Sequence, residues 1–474
     1  MMGKSQKTEP KLFYHGVSLE RRVPADHPLR RIGKLIDFTF VRSRVEELYG
    51  VNGNVSVDPA VILKLMFLLI YEDLKSERAL MEQLPLRMDW LWFCGYDLDE
   101  ETPDHSVISK ARKRWGQEVF DGFFNGVLSR CIEAGLVDGQ TIHIDSSMIH
   151  ADADKADLQA QVHLVVKELN GRLDEPAEQA QSNDTDWRRT HPVVVSPTDP
   201  DARLGRKNGQ ATLGYKDHRV IDDKCGIVTA SITTPANIND SLVMKDAVRE
   251  HQDNTGSHVK AVVADKGYGV MDNYKYLNQI KALSCIPHKT HVKEGRFSYE
   301  DFCYDKKHDR YVCPAGQLLN RLGPKQDDRK VTQYRCNPTT CRQCHLRDKC
   351  MTAETTFGRT LKINADAKYI EWADGCLSRH ERRRLLNRRK HKAEGSFADA
   401  TNNHGFKQAR WRGLAKMTIQ NLLIAAVQNV RKLLCHTTGN STDLAASAAR
   451  AAIQNLLPLR NLLTSGWSCR LSLS

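Results

Sequence analysis

The sequence lacks any uninterrupted apolar run long enough to cross a bilayer, so no membrane role is expected. Its most apolar patch, Phe67 to Tyr71, is hemmed in by Lys64, Glu72 and Asp73. The amino terminus, Met1 to Lys11, is polar and basic and has no apolar signal core. Export is therefore not expected, and a cytoplasmic location is. The cysteine pattern of a disulfide framework is also missing. Thirteen cysteines in a long, cytosolic-looking chain point instead to reduced thiols or metal ligands. Cys94, Cys131, Cys225, Cys285, Cys303, Cys376, Cys435 and Cys469 are scattered and read as small hydrophobic residues.

What is present is ordinary in bulk and uneven in charge. A chain of 474 residues is too long for one simple core, so two or three domains are expected. Hydrophobic content of 40% and charged content of 27% are those of a globular protein. Seventy Lys+Arg stand against 58 Asp+Glu, a net charge of +12 that suits a polyanionic partner, usually nucleic acid, or a solvated basic surface. The surplus gathers at Arg382, Arg383, Arg384, Arg388, Arg389, Lys390 and Lys392.

Residues from about Leu12 to Val137 read as helical. Asp58-Pro59 is a helix start, with an N-capping acid and Pro at the first helical position. Thr102 to Ser106 is a second start. It leads into a basic helix with Lys110, Arg112, Arg114 and Trp115. That pattern suits a helix-turn-helix-like DNA module or a bundle with a charged outer face. Phe120 to Cys131 continues a helical stripe.

The pattern then turns to β. Gly139 to Asp145 is a short run ending in an acid, and a polar helix and loop are expected over Ala151 to Asn183. Ser196 to Asn208 reads as a loop. Leu213 to Ile221 and Gly226 to Thr233 read as a hairpin turning at Asp222-Asp223-Lys224. A helix over Asp240 to His251 feeds Val262-Val263-Ala264, a buried strand that delivers Asp265 to its end. Gly267 and Gly269 leave space beside that carboxylate. Further on come a helix from Met271 to Lys281, a short strand near Cys285 and a long basic helix from Lys368 to Glu394. An amphipathic helix from Thr418 to Leu434 closes the pattern.

Two carboxylates at strand ends, Asp145 and Asp265, meet a requirement of two-metal phosphoryl transfer. Magnesium takes hard oxygen ligands, so aspartate and glutamate suit it. A third acid should come from a late helix. Glu394 is the candidate and Asp399 its competitor, although either aspartate alone could be a turn former.

Five further cysteines cluster: Cys313, Cys336, Cys341, Cys344 and Cys350. A CxxC knuckle with further thiols at loop distance has the ligand count of a structural zinc site. The expected set is Cys313, Cys341, Cys344 and Cys350, with Cys336 as the alternate and His345 behind it. A small cysteine-lined core is the bland alternative.

An ordered set of motifs now carries a resemblance. It comprises Phe13-Tyr14, Val17 to Glu20, Asp26-His27-Pro28-Leu29-Arg30, Ser56-Val57-Asp58-Pro59 and Ser76-Glu77-Arg78. Pro103-Asp104-His105-Ser106, His143 to Ser147, Asp265-Lys266-Gly267-Tyr268 and Glu394-Gly395-Ser396-Phe397 through Gly405-Phe406 to Arg412-Gly413-Leu414 complete it. Over about residues 12 to 435 the chain resembles bacterial insertion-sequence transposases of the DDE class with an InsH-type amino-terminal domain. The resemblance implies an RNase H-like α/β catalytic domain and a magnesium triad of Asp145, Asp265 and Glu394. It also implies double-stranded DNA as partner, both inverted-repeat ends and target, and a homodimer in the DNA complex. At the family's tyrosine, arginine and lysine positions around the glutamate stand Asn387, Lys390 and Thr401. Arg388, Arg389, Lys390, Lys407, Arg410 and Arg412 join Lys110, Arg112 and Arg114 as expected DNA contacts.

The expected division is a helical DNA-binding domain over 12–138 and a first catalytic segment over 139–296. A cysteine-rich insertion over 297–353, a second catalytic segment over 354–435 and a tail over 436–474 follow. The expected activity is Mg²⁺-dependent strand cleavage and transfer in a nucleoid-associated bacterial protein. The alternatives are a transposase-derived DNA-binding protein and an RNase H-like nuclease.

Overall fold

The computed structural model describes residues 18–50, 55–156, 158–160, 194–207, 209–287, 296–299, 301–323, 331–352, 356–364, 366 and 368–437. Most of the expected polar helix after Ala151, the tail beyond Thr437 and the Phe13-Tyr14 motif lie outside these residues. Two compact units divide the chain: Met1–Val259 with Asn387–Ser474, and Lys260–Leu386.

The first unit begins with α1 (Leu19–Arg22), α2 (Pro28–Leu35), α3 (Val41–Val45), α4 (Pro59–Tyr71), α5 (Glu77–Gln83), α6 (Met88–Cys94), α7 (Ser106–Trp115) and α8 (Glu118–Glu133). The start of α4 is the one its sequence announces. Asp58 accepts the Ala60 N–H at 2.9 Å, and Pro59 sits where its missing N–H costs nothing. The same carboxylate, almost fully buried, pairs with Arg42 at 2.5 Å. Because α4 is apolar nearly all round, with Lys64 the exception, it runs through the middle of the helices rather than along their surface. Phe67 lies at its heart, ringed by Phe38, Phe93 and Phe123 at centroid distances of 5.6 to 6.4 Å.

The chain then forms β1 (Thr141–His150), the small ladder of β2 (Gln159–Ala160) with β3 (Val194–Val195), and then β4 (Arg203–Lys207), β5 (Gln210–Asp222) and β6 (Val228–Pro235). β5 is the spine. It pairs antiparallel with β1 along one edge and with β4 and then β6 along the other. The expected hairpin is present, with its turn at Asp223 to Cys225. The loop expected over Ser196 to Asn208 is in part a strand. Gly205 in β4 permits it, since a Cβ there would meet the Ala236 carbonyl at 2.5 Å. β1 also overruns its expected end. The run expected to stop at Asp145 pairs on to His150 opposite Gly214, because Ser147 and Met148 keep the alternation going. After β6, α9 (Asp240–Thr255) packs against β5 and β6.

The second unit contains β7 (Ala261–Ala264), α10 (Met271–Gln279) and β8 (Leu283–Cys285) as a parallel βαβ turn. A five-stranded antiparallel meander follows, from β9 (Cys303–Asp305) through β10 (Arg310–Val312), β11 (Leu318–Arg321) and β12 (Val331–Cys336) to β13 (Thr360–Asn364). Between its last two strands stand α11 (Pro338–Arg342) and α12 (Arg347–Cys350). The long basic helix is broken into α13 (Lys368–Gly375) and α14 (Arg379–Arg389). The reason is local: Ser378 and Glu381 form a reciprocal cap, the hydroxyl accepting the Glu381 N–H and the carboxylate accepting the Ser378 N–H at 3.2 Å.

A π-turn, Lys390–Glu394, follows α14, and then come α15 (Gly395–His404) and α16 (Leu414–Thr437). Residues of α15 and α16 belong to the hydrophobic core that α4, α8, β1 and β5 share. The chain is thus mixed α/β, as expected. No helix among the described residues is long and apolar enough to cross a membrane.

Candidate functional site

In the first unit, Asp145 stands mid-strand on β1 rather than at its rim. One oxygen accepts the Ser146 N–H at 2.8 Å, and the other receives Arg389 Nη1 at 2.7 Å. Ser147, two residues on and on the same face of the strand, accepts Lys407 Nζ at 2.6 Å. Two cations that flank Glu394 in sequence therefore reach the face of β1 that carries Asp145.

The neighbouring strand explains how that helical segment is held. Arg219 on β5 lies opposite Asp145, and Asp217 lies opposite Ser147. Both are fully buried and pair at 2.7 Å. Ser231 of β6 donates to Asp217 at 2.8 Å. From the other side, Arg219 Nη1 donates to the Ser396 hydroxyl at 3.2 Å and to Gln428 Oε1 at 2.7 Å. The Phe397 and Phe406 rings each lie 4.9 Å from the guanidinium carbon. Gln428 in turn donates to Asp399 at 2.6 Å. A second tie is Arg388, paired at 2.6 Å with Asp223, which also bonds to His143 at 2.8 Å. Burial lowers the His143 pKa even though Asp223 pulls it the other way.

Glu394 ends the π-turn and is exposed. It lines an open cleft with Asn387, Lys390, His391 and Ala398. π-Turns are rare insertions that re-aim side chains, and they recur at functional positions. Asp399, the competing acid, is engaged by Gln428 and by Asn403 at 2.7 Å, so its carboxylate serves the packing of α15 on α16. Thr401 bonds back to the Phe397 carbonyl within its own helix.

Two of the expected DNA contacts are internal. Arg112 is buried, paired with Glu77 and stacked 3.8 Å from the Trp411 ring. Arg410 joins Asp73, the Leu74 carbonyl and the His404 carbonyl, with its side chain 8% exposed. Both pack inside the fold, paired with acids distant in sequence. Trp411 is packed as well and donates to Glu77 at 3.1 Å. Lys110, Lys390 and Arg412 are exposed, the last pairing with Asp152 at 3.0 Å. Arg114, also exposed, stacks 4.6 Å from the Tyr49 ring.

In the second unit, Asp265 caps a short 3₁₀ turn and accepts the Gly267 N–H at 2.8 Å. A Cβ at Gly267 would lie 2.8 Å from Asp265 Oδ1, so glycine there does keep the carboxylate clear. Elsewhere in this unit Cys313, Cys336, Cys341, Cys344 and Cys350 line one small cavity with Arg347 and Arg359. The Gln317 N–H points at the Cys313 sulfur at 3.3 Å and the Arg359 N–H at that of Cys341 at 3.4 Å. Burial, with Cys341 beside it, raises the Cys336 thiol pKa. All cysteines among the described residues are free thiols. Among those residues no three Asp, Glu, His or Cys side chains are drawn into metal-holding positions.

Sequence reasoning missed Asp217 and Arg219. The signal was the charged run Lys216-Asp217-His218-Arg219 inside an otherwise apolar strand, where alternation puts an acid and a base on one face.

Two segments of the chain match known domain families. Residues 17–114 match the transposase domain DUF772, and residues 312–434 match a transposase DDE domain. These are transposase domains. In this order they are consistent with a DDE-class insertion-sequence transposase, the family that the motifs resemble. The second match takes in the cysteine cluster, Glu394 and most of α16, while Asp145 and Asp265 lie outside it. No curated protein matches the chain. Among solved structures, the chain is similar to a piggyBac transposase synaptic complex with hairpin DNA, at 10% identity and a TM-score of 0.31. The likeness covers 92% of this chain and 78% of that one, and at that score it defines no shared fold.

Replacing Arg219 by Met would leave Asp217 charged and buried with its main partner gone. The variant should lose about 3–5 kcal/mol of stability by urea denaturation. A loss below about 1 kcal/mol would show that the pair does not hold the segment.

Proposed function

We propose that this protein is a DNA transposase that binds the ends of its element and catalyses metal-dependent strand cleavage and transfer. The observation that carries the reading is Asp145 held by a cation from the helical segment that bears the exposed Glu394. Asp265, on its own unit, is proposed as the remaining acid on the strength of its motif and its glycine-cleared carboxylate. With it goes an RNase H-like catalytic domain interrupted by the cysteine-rich segment.

The donor set suits Mg²⁺. That ion is commonly held by one or two carboxylates, waters and substrate phosphates rather than by a complete protein cage. Asp145 already accommodates a cation. When bound, the ion would supply activation of the attacking hydroxyl and stabilisation of the leaving oxygen. The chain's own residues bind and orient the DNA. Lys110, Arg114, Arg388, Lys390 and Arg412 are at least partly exposed and supply phosphate contacts, and Lys407 and Arg389 bring charge to β1. Two DNA ends must be brought together, so the working complex is a homodimer, in the bacterial cytoplasm.

The cysteine cavity is proposed to hold a structural zinc through Cys313, Cys341, Cys344 and Cys350, with Cys336 as the alternate. What supports it is five thiols about one cavity and backbone N–H groups aimed at two of the sulfurs. Purified protein should carry one zinc per chain, and Cys341→Ser should lose it. A metal-free wild type would refute the site.

On DNA carrying the element's terminal repeats, Asp145→Ala and Asp265→Ala should each lower Mg²⁺-dependent nicking by roughly 10³-fold or more while still binding DNA. Wild type that nicks without joining would be a nuclease. Wild type that binds but never cuts would be a transposase-derived DNA-binding protein. Unimpaired nicking by either variant removes that aspartate from the site.

A further inference from the structure

Arg389 meets Asp145 at 2.7 Å, with side-chain exposures of 12% and 19%. It is the residue just before the π-turn, five positions ahead of Glu394. In a continuous α-helix, residues five apart lie on different faces. The wider i→i+5 turn brings Arg389 round toward the side on which Glu394 emerges.

The bond is incomplete on the arginine's side. Nη1 is placed on the carboxylate, while Nε is buried without a hydrogen-bond partner. A guanidinium so placed has forgone part of its hydrogen-bonding capacity, which lowers the cost of moving it. The other groups around this face are the Ser146 N–H on Asp145, Lys407 on Ser147, and the Arg219–Asp217 pair on the neighbouring strand. Lys407 and Arg219 bond to other partners, and among the described residues Arg389 is a side-chain cation seated on an Asp145 oxygen.

A guanidinium and a divalent cation cannot share one carboxylate oxygen at contact distance, because they repel each other as well as overlap. Displaced, Arg389 needs a new anion. A phosphodiester offers the paired oxygens that its planar fork fits best. We propose that Arg389 couples metal loading at Asp145 to phosphate binding. It sits on Asp145 in the free chain and transfers to a DNA phosphate when the metal takes the carboxylate. This rests on the transposase reading above and goes beyond it. By linkage, DNA tightens metal binding by the same factor that metal tightens DNA binding.

The experiment is calorimetric titration of Mn²⁺ into the full-length chain, alone and with a short random-sequence duplex, with no turnover measured. For wild type the duplex should tighten Mn²⁺ binding roughly 5–150-fold. Arg389→Gln should bind Mn²⁺ more tightly than wild type in the free chain, and the duplex should add little. Arg389→Lys, which keeps the charge and loses the fork, should fall between them and guards against a folding defect in the first variant. Unchanged free-chain affinity in Arg389→Gln with the duplex effect intact would overturn the coupling. Asp145→Asn reports on the underlying reading: if it binds Mn²⁺ as wild type does, Asp145 is no ligand and the catalytic assignment fails, whatever Arg389 does.

Discussion

The arrangement depends on one fully buried ion pair, Arg219 with Asp217. Taking a guanidinium and a carboxylate out of water costs several kcal/mol per ion, and mutual attraction alone rarely repays it. Here much of the remainder is supplied by the Ser231 and Ser396 hydroxyls, the Gln428 amide and two aromatic faces, while Arg219 Nη2 stays buried without a hydrogen-bond partner. Those partners come from β6, α15, the loop after it and α16. The pair therefore converts a desolvation cost into a fixed placement of the Glu394-bearing segment on the strand beside Asp145.

The arginines around Glu394 divide by what the fold has done with them. Arg388 is committed to Asp223 and Arg389 to Asp145, while Lys390 is exposed. Arg112 and Arg410, equally basic on paper, are fastened to Glu77 and Asp73. The net charge of +12 thus overstates the surface available to a polyanion near these elements. What is left concentrates on the helical segment and its flanks, where phosphates would have to come for a carboxylate site on β1 to act on them.

Local chemistry was legible in the sequence, and tertiary partnership was not. The Asp58-Pro59 helix start, the β5–β6 hairpin and the strand before Asp265 each follow from neighbours within a few residues. β1 runs on past Asp145, where the expected strand ends, because Ser146 and Ser147 continue the ladder. The Ser378–Glu381 cap was visible in principle and was masked by the run of arginines behind it. The π-turn leaves no mark in sequence, since it adds a residue to a turn without changing composition. The burial of Arg112 and Arg410 depends on acids 35 and 337 residues away, which no window along the chain can pair.

The central proposal, that Asp145, Asp265 and Glu394 are the carboxylates that bind the catalytic Mg²⁺, can be tested without turnover. Fe²⁺ substituted for Mg²⁺ generates hydroxyl radicals at its site and cuts the polypeptide beside its ligands. With ascorbate and peroxide, the protein bound to DNA should be cleaved near all three acids, and excess Mg²⁺ should suppress the cuts together. Cleavage confined to one of the three, or Mg²⁺-insensitive cleavage elsewhere, would contradict a shared site.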